Sequence, residues 1–172
     1  MSLLFRLILV VAAAVCRRSD LRPFDPSRLG LRVLPTDLDP NWHVNNGRYL
    51  TLMDLGRIDL VIRIGFLRVV FRHRWMPVLG GAVIRFQRPL ALWQRYDLVT
   101  RFLGWDEKWM YFEQRFESAG KVYALAFVRA LFRGRDGSVP SAEALRAGGI
   151  DGTSPTLPDA VLRWREVDAA LV

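Results

Sequence analysis

Four consecutive segments, Ala82–Arg88, Tyr96–Trp105, Lys108–Ser118 and Lys121–Arg133, alternate apolar and polar residues with a period of two. That period places successive side chains on opposite faces of an extended backbone, so each segment reads as a strand. The joints Asp106–Lys108 and Ser118–Lys121 are short and polar, which requires antiparallel hairpins. Ahead of the strands, from Asn46 to Gly65, the spacing becomes helical: Tyr49, Leu52, Met53, Gly56, Leu60 and Ile64 share one face. Gly56 costs about 1 kcal/mol of helix propensity against alanine, and on that face it would let a sheet approach closely. One long apolar helix laid against an antiparallel sheet is an α+β architecture. Pairing two such sheets edge to edge would remove an exposed edge strand, so a homodimer, or a dimer of dimers, is the expected assembly.

The flanks are less regular. Arg22–Gly30 is rich in turn formers and reads as a linker, and Leu31–Asp37 as a short apolar strand. Pro158 opens a C-terminal helical pattern, after a mostly loose connection containing one turn of helix. The expected divisions are an N-terminal apolar helix and linker over 1–27, a central domain over 28–135, and a C-terminal connection and helix over 136–172. The uninterrupted apolar run Leu7–Cys16 is shorter than the ~20 residues a membrane span needs. Arg17 and Arg18 follow it at once, and Val15 stands where a lipoprotein signal has a small residue, which disfavours export. The reading is a helix packed on the domain or lying in a membrane surface, with Arg6, Arg17 and Arg18 at the headgroups. The expected location is cytoplasmic and peripheral to the membrane.

A formal charge of +8 is carried almost wholly by arginine, Lys108 and Lys121 being the only lysines. No block of five basic residues occurs, and basic residues are not interleaved with aromatics as nucleic-acid binders require, so no nucleic-acid partner is expected. Cys16 is the only cysteine, and His43 and His73 the only histidines. Neither a disulfide framework within the chain nor a Cys- or His-based metal site is expected.

The stretch "DLDPNWHVNN", Asp37–Asn46, concentrates two carboxylates, three asparagines and a histidine directly before the long helix. If extended, it sets Asp37, Asp39, Asn41, His43 and Asn45 on one side, and Leu38, Pro40, Trp42 and Val44 on the other. Asn45 or Asn46 suits the N-cap. Free N–H groups at a helix start carry partial positive charge and can receive a developing oxyanion. Spacing alone leaves two readings open: catalysis of acyl transfer or hydrolysis, and a capped turn with no chemistry. No Gly-x-Ser-x-Gly elbow accompanies it, which argues against an α/β-type serine hydrolase.

"DLDPNWHVNNGRYL" resembles the active-site motif of hotdog-fold acyl thioesterases, the plant acyl-carrier-protein thioesterases among them. The matching residues are Asp39, Asn41, His43, Asn45, Asn46 and Tyr49. "RVLPTDLD", "NNGRYL" and "FLGWDEKWMYFEQRF" are similar to a nearer branch, the thioesterase superfamily member six proteins; this likeness runs from Arg32 to Arg133 and more weakly to Trp164. The resemblance implies a hotdog fold, a central helix wrapped by the sheet. It also implies a dimer, an acyl-CoA or acyl-carrier-protein thioester as substrate, a role in lipid metabolism, and no metal or cofactor beyond the CoA of the substrate. It gives Asp39 the role of nucleophile or base, and Asn41 and His43 that of polarising substrate or positioning water. Asn45, Asn46, Gly47 and Tyr49 would bind substrate, with backbone N–H groups near Asn46 and Gly47 receiving the thioester oxygen. Arg88, with Arg85 and Arg95, is a candidate for the CoA phosphates. The alternative is a non-catalytic acyl-binding or membrane-surface protein on the same scaffold.

Overall fold

The computed structural model describes residues 3–17 and 21–170; Arg18 and the last two residues of the C-terminal pattern lie outside them. The elements are helices α1 (Leu3–Cys16), α2 (Asn46–Arg63), α3 (Leu67–His73), α4 (Ser141–Ala147) and α5 (Asp159–Ala169), with strands β1 (Ser27–Arg32), β2 (Met76–Phe86), β3 (Arg95–Trp105), β4 (Met110–Ser118), β5 (Lys121–Gly134) and β6 (Gly137–Val139). The strands form one antiparallel sheet in the order β1-β3-β4-β5-β2, with β6 paired to β5. Together with the buried long helix α2, this is the α+β hotdog architecture that the resemblance implied.

α2 buries Tyr49, Leu52, Met53, Leu55, Gly56, Asp59 and Leu60. A Cβ on Gly56 would lie 2.5 Å from Thr100 Oγ1 and 2.8 Å from Leu98 Cδ2, so the bare backbone sets how closely β3 approaches the helix. Beside it, the fully buried Gln114 amide donates to the Met53 carbonyl at 2.9 Å and to Thr100 Oγ1 at 3.0 Å. β4 shows the sheet's two faces. Met110 and Phe112 belong to the core around α2, whereas Tyr111 between them packs under α5 with Leu157 and Val161.

Several boundaries differ from the sequence reading. The expected linker Arg22–Gly30 yields its end to β1, whose Ser27 and Leu29 turn inward and pair with Thr100 and Leu98. The strand expected over Leu31–Asp37 stops at Arg32, and Pro35–Asp37 form a single 3-10 turn. β2 begins six residues before Ala82; Pro77 and the glycine pair hide it, but a bulge between Leu79 and Gly81 absorbs the irregularity. The space over Gly80 is filled by the Trp109 ring, which a Cβ there would meet at 2.0 Å. α3 was not expected. Gly65, at φ 76°, ends the long helix and lets the chain restart as a second one. The "loose" C-terminal connection also holds β6 and the two turns of α4.

α1 packs along the domain, burying Arg6, Val10 and Ala14. Its other side is exposed and apolar, with Leu4 65%, Ile8 56% and Val15 64% accessible. Among the described residues no helix is long and apolar enough to cross a membrane.

Candidate active site

The segment Asp37–Asn45 is folded back on itself and not extended. Leu38 and Val44 form an antiparallel bridge, the Asp39 N–H donates to the His43 carbonyl at 2.8 Å, and the Trp42 N–H donates to the Asp39 carbonyl at 3.0 Å. Trp42 adopts φ 61° at the tip and is 71% exposed. Pro40 has no N–H for a ladder, and Asp39 Oδ1 offers the turn an alternative acceptor: Asn41 N–H donates to it at 2.9 Å and His43 N–H at 3.4 Å. The expected polar row is therefore broken. Asp37 points into the protein and Asp39 towards solvent, where Asn41 and His43 are exposed beside it. The loop is fastened to the chain before β3: Val44 N–H donates to the Leu90 carbonyl at 3.0 Å, and His43 bridges Ala91.

Asn45 is the N-cap of α2, its Oδ1 accepting from the Gly47 N–H at 2.9 Å. That N–H is thus already engaged, and among the described residues the Asn46 N–H is the free donor at the helix start. Tyr49 lies in the core, 2% exposed, with its ring edge-on to Phe116 (4.8 Å) and Phe86 (5.1 Å). Burial raises the Tyr49 phenol above its ordinary pKa, against a backbone hydrogen bond with Leu90, so the hydroxyl stays protonated. Arg88 is exposed and donates to the Val122 carbonyl at 2.9 Å; Arg85 and Arg95 are exposed as well. Asp39, Asn41, His43 and Asn45–Gly47 are thus gathered at one loop and helix start, whereas Tyr49 supports them from below.

The sequence reading missed the partners of Asp37. Its carboxylate, 1% exposed, accepts from Arg6 Nη2 at 2.7 Å, from Arg48 Nε at 2.9 Å and from the Leu34 N–H at 2.9 Å. Arg6 also donates to the Arg32 carbonyl at 2.9 Å. One buried carboxylate therefore ties α1, the end of β1 and the first turn of α2 to the base of the loop. The available signal was Arg6 itself: one charge inside an otherwise apolar helix has to find a buried partner when that helix docks. Arg6 is consequently not at a membrane headgroup.

A long helix held inside a curled antiparallel sheet, with a carboxylate-bearing loop at its N-terminus, defines a protein of the hotdog fold. The chain belongs to the Thioesterase-like superfamily, whose family pattern it matches over residues 33–165. It is similar to Protein THEM6 of Xenopus laevis, 34% identical over 77% of this chain and 63% of that protein. It is also similar to Protein THEM6 of Danio rerio, 42% identical over 57% of this chain and 50% of that one. The matches thus span about half to just under two thirds of those relatives' lengths. Among solved structures, the YbaW probable thioesterase of Escherichia coli superposes with a TM-score of 0.66 at 20% identity, covering 72% of this chain and 96% of that one.

Proposed function

We propose that this chain hydrolyses acyl thioesters of CoA or of an acyl-carrier protein, with Asp39 as the reacting carboxylate. The observation that carries the reading is the orientation of the two aspartates. Asp37 is consumed by two guanidinium groups, while Asp39 uses one carboxylate oxygen to hold the turn and leaves the other for chemistry, at a partly exposed site next to the helix start. Membership of a thioesterase-like family supports the same chemistry.

In the simplest course Asp39 takes a proton from water as its oxygen attacks the thioester carbonyl. The carbonyl oxygen becomes an oxyanion, received by the Asn46 N–H and the amide of Asn41 or Asn46. Collapse breaks the C–S bond, the sulfur leaves with the electron pair, and the proton on Asp39 passes to the thiolate. A thiol of ordinary pKa near 8.5 leaves without strong acid assistance. If Asp39 itself attacks, an acyl-aspartyl anhydride forms and water cleaves it. Exposed His43 is suited to position the water in either course. Neither course uses a metal or a cofactor beyond the CoA carried by the substrate. Turnover of an acyl-CoA panel with thiol detection tests the reading; binding without release of thiol from any member would refute hydrolysis.

The assembly proposed with it is a homodimer, or a dimer of such dimers. β2 is an edge strand, and Met76, Leu79, Val83 and Phe86 along it are 43–65% exposed. A covered edge would protect both its backbone groups and these side chains.

A second reading, a membrane-surface protein peripheral to a cytoplasmic leaflet, rests on α1. Its only charged residue is turned inward, and its outward side presents Leu4, Phe5, Ile8 and Leu9. Co-flotation with anionic vesicles that Ile8→Glu abolishes would support this reading, and flotation unaffected by that change would refute it.

A further inference from the structure

A cavity of about 540 Å³ opens beside α2, within the usual range for small-molecule sites of about 300–1,000 Å³. Its lining is apolar apart from Thr51, Asp54 and Arg57. The charges of that last pair are already satisfied: Arg57 donates to Asp54 and, at 2.6 Å, to Gln114 Oε1. The groove thus offers no free charge to an ionic ligand and fits a hydrocarbon. On α2 its lining residues Thr51, Asp54, Ile58 and Val61 recur at alternating spacings of three and four, the face that begins with Gly47 at the helix start. From Thr51 to Ile64 that face runs for roughly 20 Å at the helical rise of 1.5 Å per residue. Gly47 precedes Thr51 by four residues, so a chain attached to a carbonyl at the Asp39 loop crosses about 6 Å of helix rise before it enters the groove.

One wall of this groove is not part of the α2–sheet unit. Leu3, Leu4 and Leu7 of α1 line it together with Ile58 and Val61 of α2. Arg6, in the same turn as Leu7, is held by Asp37 at the base of the Asp39 loop. We propose that the N-terminal helix is part of the substrate site: its first two turns wall a groove that takes the fatty-acyl chain of the thioester and sets the chain length accepted, and the Arg6–Asp37 pair fixes that wall relative to the Asp39 loop. The acyl-thioester substrate is taken from the hydrolase reading above; the hydrocarbon groove stands on its own geometry.

The test fills the groove in the full chain. Leu7→Trp narrows it from α1, and Ile58→Phe narrows it from α2 should the first variant not fold. Leu162→Trp, on exposed α5, is the control. cis-Parinaric acid, a fluorescent fatty acid, reports occupancy without any turnover. The expected result is binding to the wild type and control, weakened about tenfold in the narrowed variants. With it, kcat/KM should fall about tenfold for hexadecanoyl-CoA while butanoyl-CoA is unaffected, a discrimination of the size a hydrophobic pocket supplies. Equal probe binding in all variants, or an equal loss for both chain lengths, overturns the proposal. So does absence of probe binding with a concentration-dependent dimer that the narrowing variants dissociate, which gives the groove to a second copy. If no acyl-CoA is hydrolysed but the narrowed variants lose the probe, the groove stands and the hydrolase reading falls.

Discussion

The carboxylate of Asp37 sits 2.7 Å from the Arg6 guanidinium, across 31 residues of sequence, and both side chains are buried. Removing one member of such a pair leaves an uncompensated buried charge, which costs about 3–5 kcal/mol. Asp37→Asn strands Arg6 and Arg48 together and should lower stability by that amount. Arg6→Met should cost less, because Arg48 still neutralises Asp37. Urea denaturation of the two single variants and the double variant measures the coupling; additive effects would mean that the pair contributes nothing.

Asp39→Asn keeps the size of the side chain and its capping oxygen for the Asn41 N–H. Turnover should drop by about 10²–10⁴-fold, the span for losing a general acid–base group, with circular dichroism and the thermal midpoint little changed. Full activity in this variant would remove Asp39 from the chemistry and leave the loop as a turn and a cap.

Gly56→Ala sets two effects against each other. Alanine gains about 1 kcal/mol of helix propensity, but its methyl would press into Thr100 and Leu98 at 2.5 and 2.8 Å. Overpacking of this kind costs about 1–3 kcal/mol, so the variant should be less stable than wild type. A raised denaturation midpoint would show that β3 retreats without cost.

Asp106 gives the C-terminal helix an acid-sensitive anchor. Burial pushes its pKa up, but hydrogen bonds from the Tyr111 hydroxyl and the Trp109 and Lys108 N–H groups, with Arg165 of α5 nearby, hold it below the ordinary aspartate value. A depressed folded-state pKa adds stability that is present above the unfolded value and disappears as pH falls through the folded one. Asp106→Asn should therefore be less stable than wild type near neutrality, with the gap closing as pH falls through and below the ordinary aspartate range. A gap independent of pH would mean that packing, not charge, holds α5 there.

β3, β4, β5 and the long helix were legible because their periods are long and uninterrupted, β3 being missed by one residue at its start, whereas the first half of β2 was hidden by Pro77 and the glycine pair. β1 was not legible, because six residues with a glycine and two arginines show no alternation until their neighbours Thr100 and Leu98 are known. The composition of the Asp39 loop was legible, and so was its adjacency to the helix. Its shape was not: the alternation rule presumes extended backbone, and the Asx turn of Asp39 with the left-handed Trp42 abolishes it. The ion triad on Asp37 joins residues 6, 37 and 48, and no local pattern encodes contacts at that separation.

That separation also dictates an order of events during synthesis. α1 leaves the ribosome before β1 and α2, yet the groups that receive Arg6 are the Arg32 carbonyl and the Asp37 carboxylate, and the face α1 packs on belongs to α2. Until Arg48 and the turns beyond it have emerged, the nascent chain displays an apolar helix whose one cation lacks the partners that neutralise it in the fold. For that interval, α1 is the segment most in need of shelter by a chaperone.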